Sequence, residues 1–349
     1  MKKKDIINLI RYFAEKNEAG FKVEAYKIAK EFEEKGDSQL SEYIISLLSG
    51  SNSLVPQEFT TVIPHSPFWS KISIDSSVLL LPDSIVDDLK GIANAISHNM
   101  GLHKFLFVGE PGTGKTEAVK QLGRILNRDV LRIEVASLVD SKLGQTSKNL
   151  QILKRELSDI TNPESIIVLF DEIDMIAMDR TSTHDVREMG RVTSAMLAFL
   201  DDIDSRIVVI GTSNLYHHFD KAFLRRFDSV ISFDRYSHDD LVDIGVRLID
   251  IYLRQYLQFN RNMRLAKKIL NQVQQLPMPG DLKNIIRTSL AFSNPKDGFD
   301  YIRRLYISLN GAIPTDVQQL KKYGYTVRDI EVLVQASKST VSRKLQQGG

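Results

Sequence analysis

The eight residues Gly109-Glu-Pro-Gly-Thr-Gly-Lys-Thr116 spell the pattern GxxxxGK[ST], directly after the apolar run Phe105-Leu-Phe-Val108. That spacing suits the capture of a polyphosphate. A buried strand delivers the loop, the backbone N–H groups of the loop close around the anion, and the next helix points its positive end at it. Gly109, Pro111, Gly112, Thr113 and Gly114 would form the cradle. Lys115 would reach the β- and γ-phosphates, and the Thr116 hydroxyl would ligate Mg²⁺. The competing reading is a glycine-rich turn that binds nothing. The full motif, its strand and its downstream companions favour ATP with Mg²⁺.

The companion is Ile166-Ile-Val-Leu-Phe-Asp-Glu-Ile-Asp174. Five consecutive apolar residues predict a strand buried on both faces, with two carboxylates emerging at its end. Asp171 can hold Mg²⁺ through its water shell. Glu172 can polarise the water that attacks the γ-phosphate, since phosphoryl transfer needs positioning and charge neutralisation more than covalent help.

With these two motifs the chain resembles the AAA+ ATPase superfamily, and within it the AAA clade, over residues 83–292. The resemblance implies an α/β parallel-sheet nucleotide-binding domain followed by an α-helical lid, working as a homo-oligomer, a hexamer. Ile210-Gly-Thr-Ser-Asn214 resembles the sensor 1 strand, which implies that Asn214 orients the attacking water. Asp220-Lys-Ala-Phe-Leu-Arg-Arg-Phe-Asp228 resembles the arginine-finger segment. Arg225 and Arg226 would then reach the γ-phosphate bound by the neighbouring subunit, where a guanidinium offers a fixed fork of donors and a charge to the transition state. Without the surrounding match, the same arginines would read as surface groups pairing with Asp220 or Asp228.

Two positions depart from the family. Polypeptide-threading members place an aromatic in the central pore loop, whereas the corresponding Ser141-Lys-Leu-Gly144 puts Lys142 there, followed by Leu143. A lysine grips apolar chain poorly and suits acidic substrates or nucleic acid; alternatively the loop caps a helix and touches nothing. Met278-Pro-Gly-Asp-Leu-Lys283 resembles the start of the sensor 2 helix. Lys283 either contacts the γ-phosphate or is a solvated first-turn lysine.

The elements that position these residues divide the chain. Residues 1–50 carry three amphipathic stripes: Ile6, Leu9, Ile10 and Phe13; Phe21, Ala25, Ile28, Ala29 and Phe32; Leu40, Tyr43, Ile44, Leu47 and Leu48. They read as a helical module that docks a protein partner or caps the next domain. Residues 51–82, rich in Ser, Thr and Pro, read as a linker. Residues 83–236 alternate strand-like and helical runs, with strands expected at Phe105–Val108, Val130–Val135, Ser165–Phe170, Ile207–Ile210 and Ser229–Phe233. Residues 237–310 read as the all-α lid and residues 311–349 as a helix-turn-helix-like tail.

In that tail, Val327 to Leu333 form the first expected helix, and Ser337 caps a second from Lys338 to Gln346. Lys338, Ser339, Ser342 and Arg343 would face base edges or phosphates. Residues 314–349 hold six Lys/Arg against three Asp/Glu, a local basic excess inside a chain of net charge +2. Glu331 and Gln335 stand where such motifs prefer a small residue and glycine, so a capped hairpin that docks on protein or closes against the lid is the alternative.

Composition fits a cytoplasmic protein. Hydrophobic residues make up 42% and charged residues 26%, there are no cysteines, and no apolar run reaches the ~20 residues that cross a bilayer. Two readings of the whole stand side by side. One is an ATPase ring that remodels or licenses a protein or DNA-associated partner, in an arrangement that resembles ATPase subunits of bacterial phage-defence operons. The other is a DNA-binding regulator or target-selection scaffold that uses ATP as an assembly switch.

Overall fold

The computed structural model describes residues 8, 11–12, 18–34, 66–74, 79–138, 145–174 and 186–347, and the chain divides into two compact units, Met1–Thr60 and Thr61–Gly349. In the first unit, α1 (Glu18–Glu34) buries Ala25, Ile28 and Ala29 along one face, the i, i+3, i+4 spacing of an amphipathic helix. The two other stripes expected in residues 1–50 lie outside the described residues.

The second unit is built on a six-stranded sheet. Its strands are β1 (Trp69–Lys71), β2 (Lys104–Val108), β3 (Asp129–Ile133), β4 (Ile166–Phe170), β5 (Val208–Ser213) and β6 (Ser229–Ser232), in the order β1-β3-β4-β5-β2-β6. All neighbours are parallel except β1, which runs antiparallel to β3 with Trp69 opposite Ile133. Around the sheet lie α2 (Asp83–Ser97), α3 (Lys115–Leu126), α4 (Val135–Leu138), α5 (Gln145–Ser158), α6 (Val186–Asp202) and α7 (Lys221–Leu224).

Strand β4 shows why the sheet is covered on both sides. Alternate residues enter different cores: Ile166, Val168 and Phe170 join one with α5 and α6, while Ile167 and Leu169 join the other with α2 and α3. An uninterrupted apolar run is what a strand buried on both faces requires. The expected strand at Ile207–Ile210 runs on through Ser213, because Thr212 and Ser213 keep their pairing with Phe107 and Val108. The segment 51–82, read as a linker, contributes strand β1. Its signal is three residues long and sits just after Pro64 and Pro67, and the buried pair Phe68 and Trp69 anchors it at the sheet edge, where proline is tolerated.

Beyond the sheet, Ser237 and Asp240 form a reciprocal capping box that starts α8 (His238–Gln255). Helices α9 (Met263–Gln272), α10 (Pro279–Ala291) and α11 (Asp300–Asn310) complete the lid, and α12 (Val317–Lys322), α13 (Val327–Val334) and α14 (Lys338–Gln347) form the tail. Lid and tail share one apolar core: Leu265, Ile269, Ile302 and Tyr306 pack in the same cluster as Leu320, Tyr325, Ile330, Leu333 and Val341. None of the described helices is long and apolar enough to cross a membrane.

Candidate active site

Strand β5 lies between β2 and β4, so the carboxyl ends of three adjacent strands open on one edge, where parallel α/β sheets hold ligands. From β2 comes the glycine-rich loop. Gly112 (φ +78°) and Gly114 (φ +95°) take left-handed backbone conformations, which turn the loop into the first turn of α3. Lys115 is buried, and its Nζ donates to the carbonyls of Gly109 at 2.7 Å and Glu110 at 2.8 Å. Burial pulls its ammonium below the ordinary lysine value, while Asp234, Asp174, Asp171 and Glu172 pull the other way. Thr113 donates from its hydroxyl to Glu110 O at 2.9 Å, and Asp234 accepts the Glu110 N–H, closing the loop on itself.

From β4 comes Asp171, on which the polar groups converge. Its Oδ1 accepts the hydroxyls of Thr116 at 3.1 Å and Thr212 at 2.6 Å, and its Oδ2 lies 3.0 Å from Arg132 Nη2. Glu172 adopts φ +55°, a left-handed conformation that costs a residue with a Cβ about 1 kcal/mol or more. The Glu172 N–H donates to Thr212 Oγ1 at 3.0 Å, which ties the turn to β5. Asp174 is buried, accepts the Ser213 hydroxyl and takes the Asn214 N–H at 3.1 Å, so the turn after β4 also fixes the end of β5.

These side chains line a cavity of about 610 Å³. Lys115, Thr116, Asp171, Glu172 and Asn214 form one end, and Leu79, Leu80, Ile244, Leu248 and Ile251 form an apolar wall shared between the segment before α2 and the lid. A polar end carrying a lysine, joined to an apolar slot, fits a nucleotide, and the volume falls in the range of about 300–1,000 Å³ common for such ligands. The lid closes directly on the loop through the Gly280 N–H, which donates to Gly112 O at 2.8 Å, and just before the lid the Tyr236 hydroxyl donates to Thr113 O at 2.7 Å. Lys283, in the first turns of α10, is exposed and lines the same cavity.

The structure thus brings together Gly112, Gly114, Lys115, Thr116, Asp171, Glu172, Asn214 and Lys283. Arg225 and Arg226, at the end of α7, do not line the cavity of their own chain. Arg225 is exposed, and Arg226 Nε lies 3.0 Å from Asp201. Asp220 is occupied as the N-cap of α7, and Asp228 accepts the N–H groups of His103 and Lys104, each at 2.8 Å. Lys142 and Leu143 lie outside the described residues. In the tail, Lys338, Ser339 and Arg343 are exposed and Ser342 is half-buried on α14, while Ser337 Oγ accepts the Thr340 N–H at 3.3 Å. Gln335 makes the turn between α13 and α14 with φ +52°, the conformation for which glycine is the usual choice.

Several residues that shape the site were assigned no role from the sequence: Arg132, Thr212, Tyr236 and the apolar wall. Thr212 had a readable signal, as a hydroxyl two residues before Asn214 on a strand that runs beside β4. Arg132 had none, since only the β3–β4 register, which sets it opposite Leu169, puts it on the same sheet face as Asp171 two residues further on.

Residues 105–235 match the family described as "ATPase family associated with various cellular activities (AAA)". Over 132 residues, 38% of this chain, the sequence is 33% identical to an uncharacterised AAA family ATPase of Sinorhizobium fredii, and over 155 residues, 42% of this chain, it is 32% identical to the vesicle-fusing ATPase of Dictyostelium discoideum. The chain spans only 39% and 20% of the lengths of those two proteins. Among solved structures, a chain of the E. coli MS115-1 HORMA:CdnC:Trip13 complex superposes with a TM-score of 0.54 at 15% identity, covering 68% of this chain and 90% of that one. At that identity the likeness is one of fold.

Proposed function

We propose, from the premise that residues 105–235 are an AAA-family ATPase domain, that this chain hydrolyses Mg²⁺·ATP and uses the cycle to remodel or license a partner. The observation that carries the reading is the convergence of Thr116, Thr212 and Glu172 on the turn around Asp171, at the polar end of the cavity. A hydroxyl and a carboxylate 3.1 Å apart make a hard oxygen donor pair, which suits Mg²⁺. Thr116 and Asp171 would hold the metal, whose charge offsets that of the phosphates during transfer.

The residues of the chain do the rest. Loop N–H groups and Lys115 bind and orient the β- and γ-phosphates, and to do so Lys115 exchanges its loop carbonyls for phosphate oxygens. Glu172, whose backbone N–H is tied to Thr212, accepts a proton from the attacking water, and Asn214 orients the same water. Arg225 and Arg226, outside their own cavity, would serve the site of a neighbouring subunit in a homo-oligomer, a hexamer by the family resemblance. Lys283 would report the state of the γ-phosphate to the lid. Residues 1–50 are the candidate surface for a protein partner, and a cytoplasmic phage-defence setting is the physiological context this reading favours. Steady-state phosphate release, compared between the parent protein and Glu172→Gln, tests it.

The second reading is a DNA-binding regulator or target-selection scaffold that uses ATP as an assembly switch. The exposure of Lys338 and Arg343 on a capped helix after a tight turn favours it. If it holds, duplex DNA at low salt stimulates ATP turnover, and Lys338→Ala with Arg343→Ala weakens binding and flattens its salt dependence. DNA binding that is absent from the parent protein at low salt removes this reading.

A further inference from the structure

Asp171 has a third partner that the hydrolysis mechanism does not use. Arg132 of β3 is diagonal to it across the β3–β4 ladder, on the sheet face that also carries α3, and its Nη2 sits 3.0 Å from Asp171 Oδ2. The Oδ1 atom is already taken by two hydroxyls. Asp171 is largely buried whereas Arg132 is half-exposed. Four carboxylates, those of Asp171, Glu172, Asp174 and Asp234, act on Lys115, whose Nζ is turned to loop carbonyls. Among the described residues, Arg132 is the cation that forms an ion pair with Asp171.

We propose that Arg132 is a positioning residue that stands in for the metal. Its guanidinium neutralises and orients Asp171 while Mg²⁺ is absent, and it releases Oδ2 when Mg²⁺·ATP loads. Two cations compete for one carboxylate, so loading the metal costs the energy of the ion pair, and the site resists collapse of its acids between turnovers. The role rests on the Mg²⁺·ATP reading above, and it assigns to Arg132 a control over the magnesium requirement rather than over chemistry.

The test is a Mg²⁺ titration of EDTA-treated full-length protein in the presence of a fluorescent, non-hydrolysable ATP analogue, with melting temperature as a second readout. Arg132→Gln should lower the Mg²⁺ midpoint roughly three- to tenfold, the scale of losing one half-exposed ion pair. Its melting temperature should fall in EDTA and return to the parent value with Mg²⁺ and the analogue. Arg132→Lys keeps the charge and should stay within about twofold of the parent midpoint. It also remains informative should Arg132→Gln fold poorly, because a midpoint lowered as far as a neutral variant's would contradict the charge argument. A midpoint that is unchanged or raised in Arg132→Gln overturns the role of Arg132 while the ATP site stands. A parent protein that binds the analogue without any Mg²⁺ dependence, or not at all, overturns both.

Discussion

The backbone N–H of Gly280 donates to the carbonyl of Gly112 at 2.8 Å, so the first turn of lid helix α10 rests on the glycine-rich loop. A side chain at Gly280 would place its Cβ 2.9 Å from Gly112 Cα and 3.0 Å from Gly112 O, with backbone rather than a flexible side chain in the way. A nucleotide bound in the cavity would therefore touch both the loop and the lid near their point of contact, and would set lid position and loop conformation together.

The first prediction follows from that contact. Gly280→Ala should push α10 off the loop, weaken nucleotide binding about tenfold and cost about 1–3 kcal/mol of stability, the usual range for a forced overlap. Isothermal titration and chemical denaturation check it. Unchanged affinity would mean that the lid slides freely over the loop.

Asp329 offers a pH test of the junction between lid and tail. Burial alone would raise its carboxyl, but hydrogen bonds from Lys268 at 2.7 Å and from Thr326, and the Lys268 charge, hold it below the ordinary range. A depressed carboxyl contributes stability above its unfolded-state value of about 3.9, and that contribution is lost as pH falls through the folded value. Asp329→Asn should therefore cost about 1 kcal/mol at neutral pH, and its gap to the parent should close below about pH 4. A gap that is constant with pH would contradict the charge-based account.

The candidate site was legible in sequence because each of its parts is local. A glycine loop after an apolar run, two acids at a strand end and an asparagine at another strand end are each read within a few residues. Sheet order then brings them together: β5 inserts between β2 and β4, which no single segment states. What sequence concealed is what depends on long-range register or packing. Arg132 reaches Asp171 only through the β3–β4 pairing. Strand β1 is three residues in a proline-bearing stretch. The shared core of lid and tail was also hidden, because the apolar positions of α12, α13 and α14 look the same whether they pack on one another or on α9 and α11.

That shared core makes the tail part of the stability of the lid. Arg303 is buried, donates to Val332 O at 3.0 Å, and pairs with Asp297, which also accepts from Gln335 at 3.2 Å. Arg303→Ala should cost about 2 kcal/mol, less than a fully buried pair because Asp297 is partly exposed. Removal of residues 312–349 should expose Ile302 and Tyr306 and cause the lid to aggregate or melt early. Differential scanning calorimetry checks both, and a truncated protein that melts like the parent would show the lid to be self-sufficient.

Placing Arg225 and Arg226 at a neighbour's site makes a mixing prediction. A protein carrying Arg225→Ala with Arg226→Ala and a protein carrying Lys115→Ala should each turn over ATP at least about a hundredfold more slowly than the parent. Mixed together and reassembled, they should recover a fraction of parental turnover, because some interfaces then pair an intact loop with intact arginines. Absence of recovery at every mixing ratio would place the arginines outside the shared site.

Hydrolysis in this cavity is tested by phosphate release measured beside nucleotide binding in the parent, Glu172→Gln and Lys115→Ala proteins. The parent should hydrolyse ATP, Glu172→Gln should bind ATP with near-parental affinity while releasing phosphate at least about a hundredfold more slowly, and Lys115→Ala should lose both. Parental turnover in Glu172→Gln would contradict the assignment of the base and, with it, the reading of this cavity as the seat of hydrolysis.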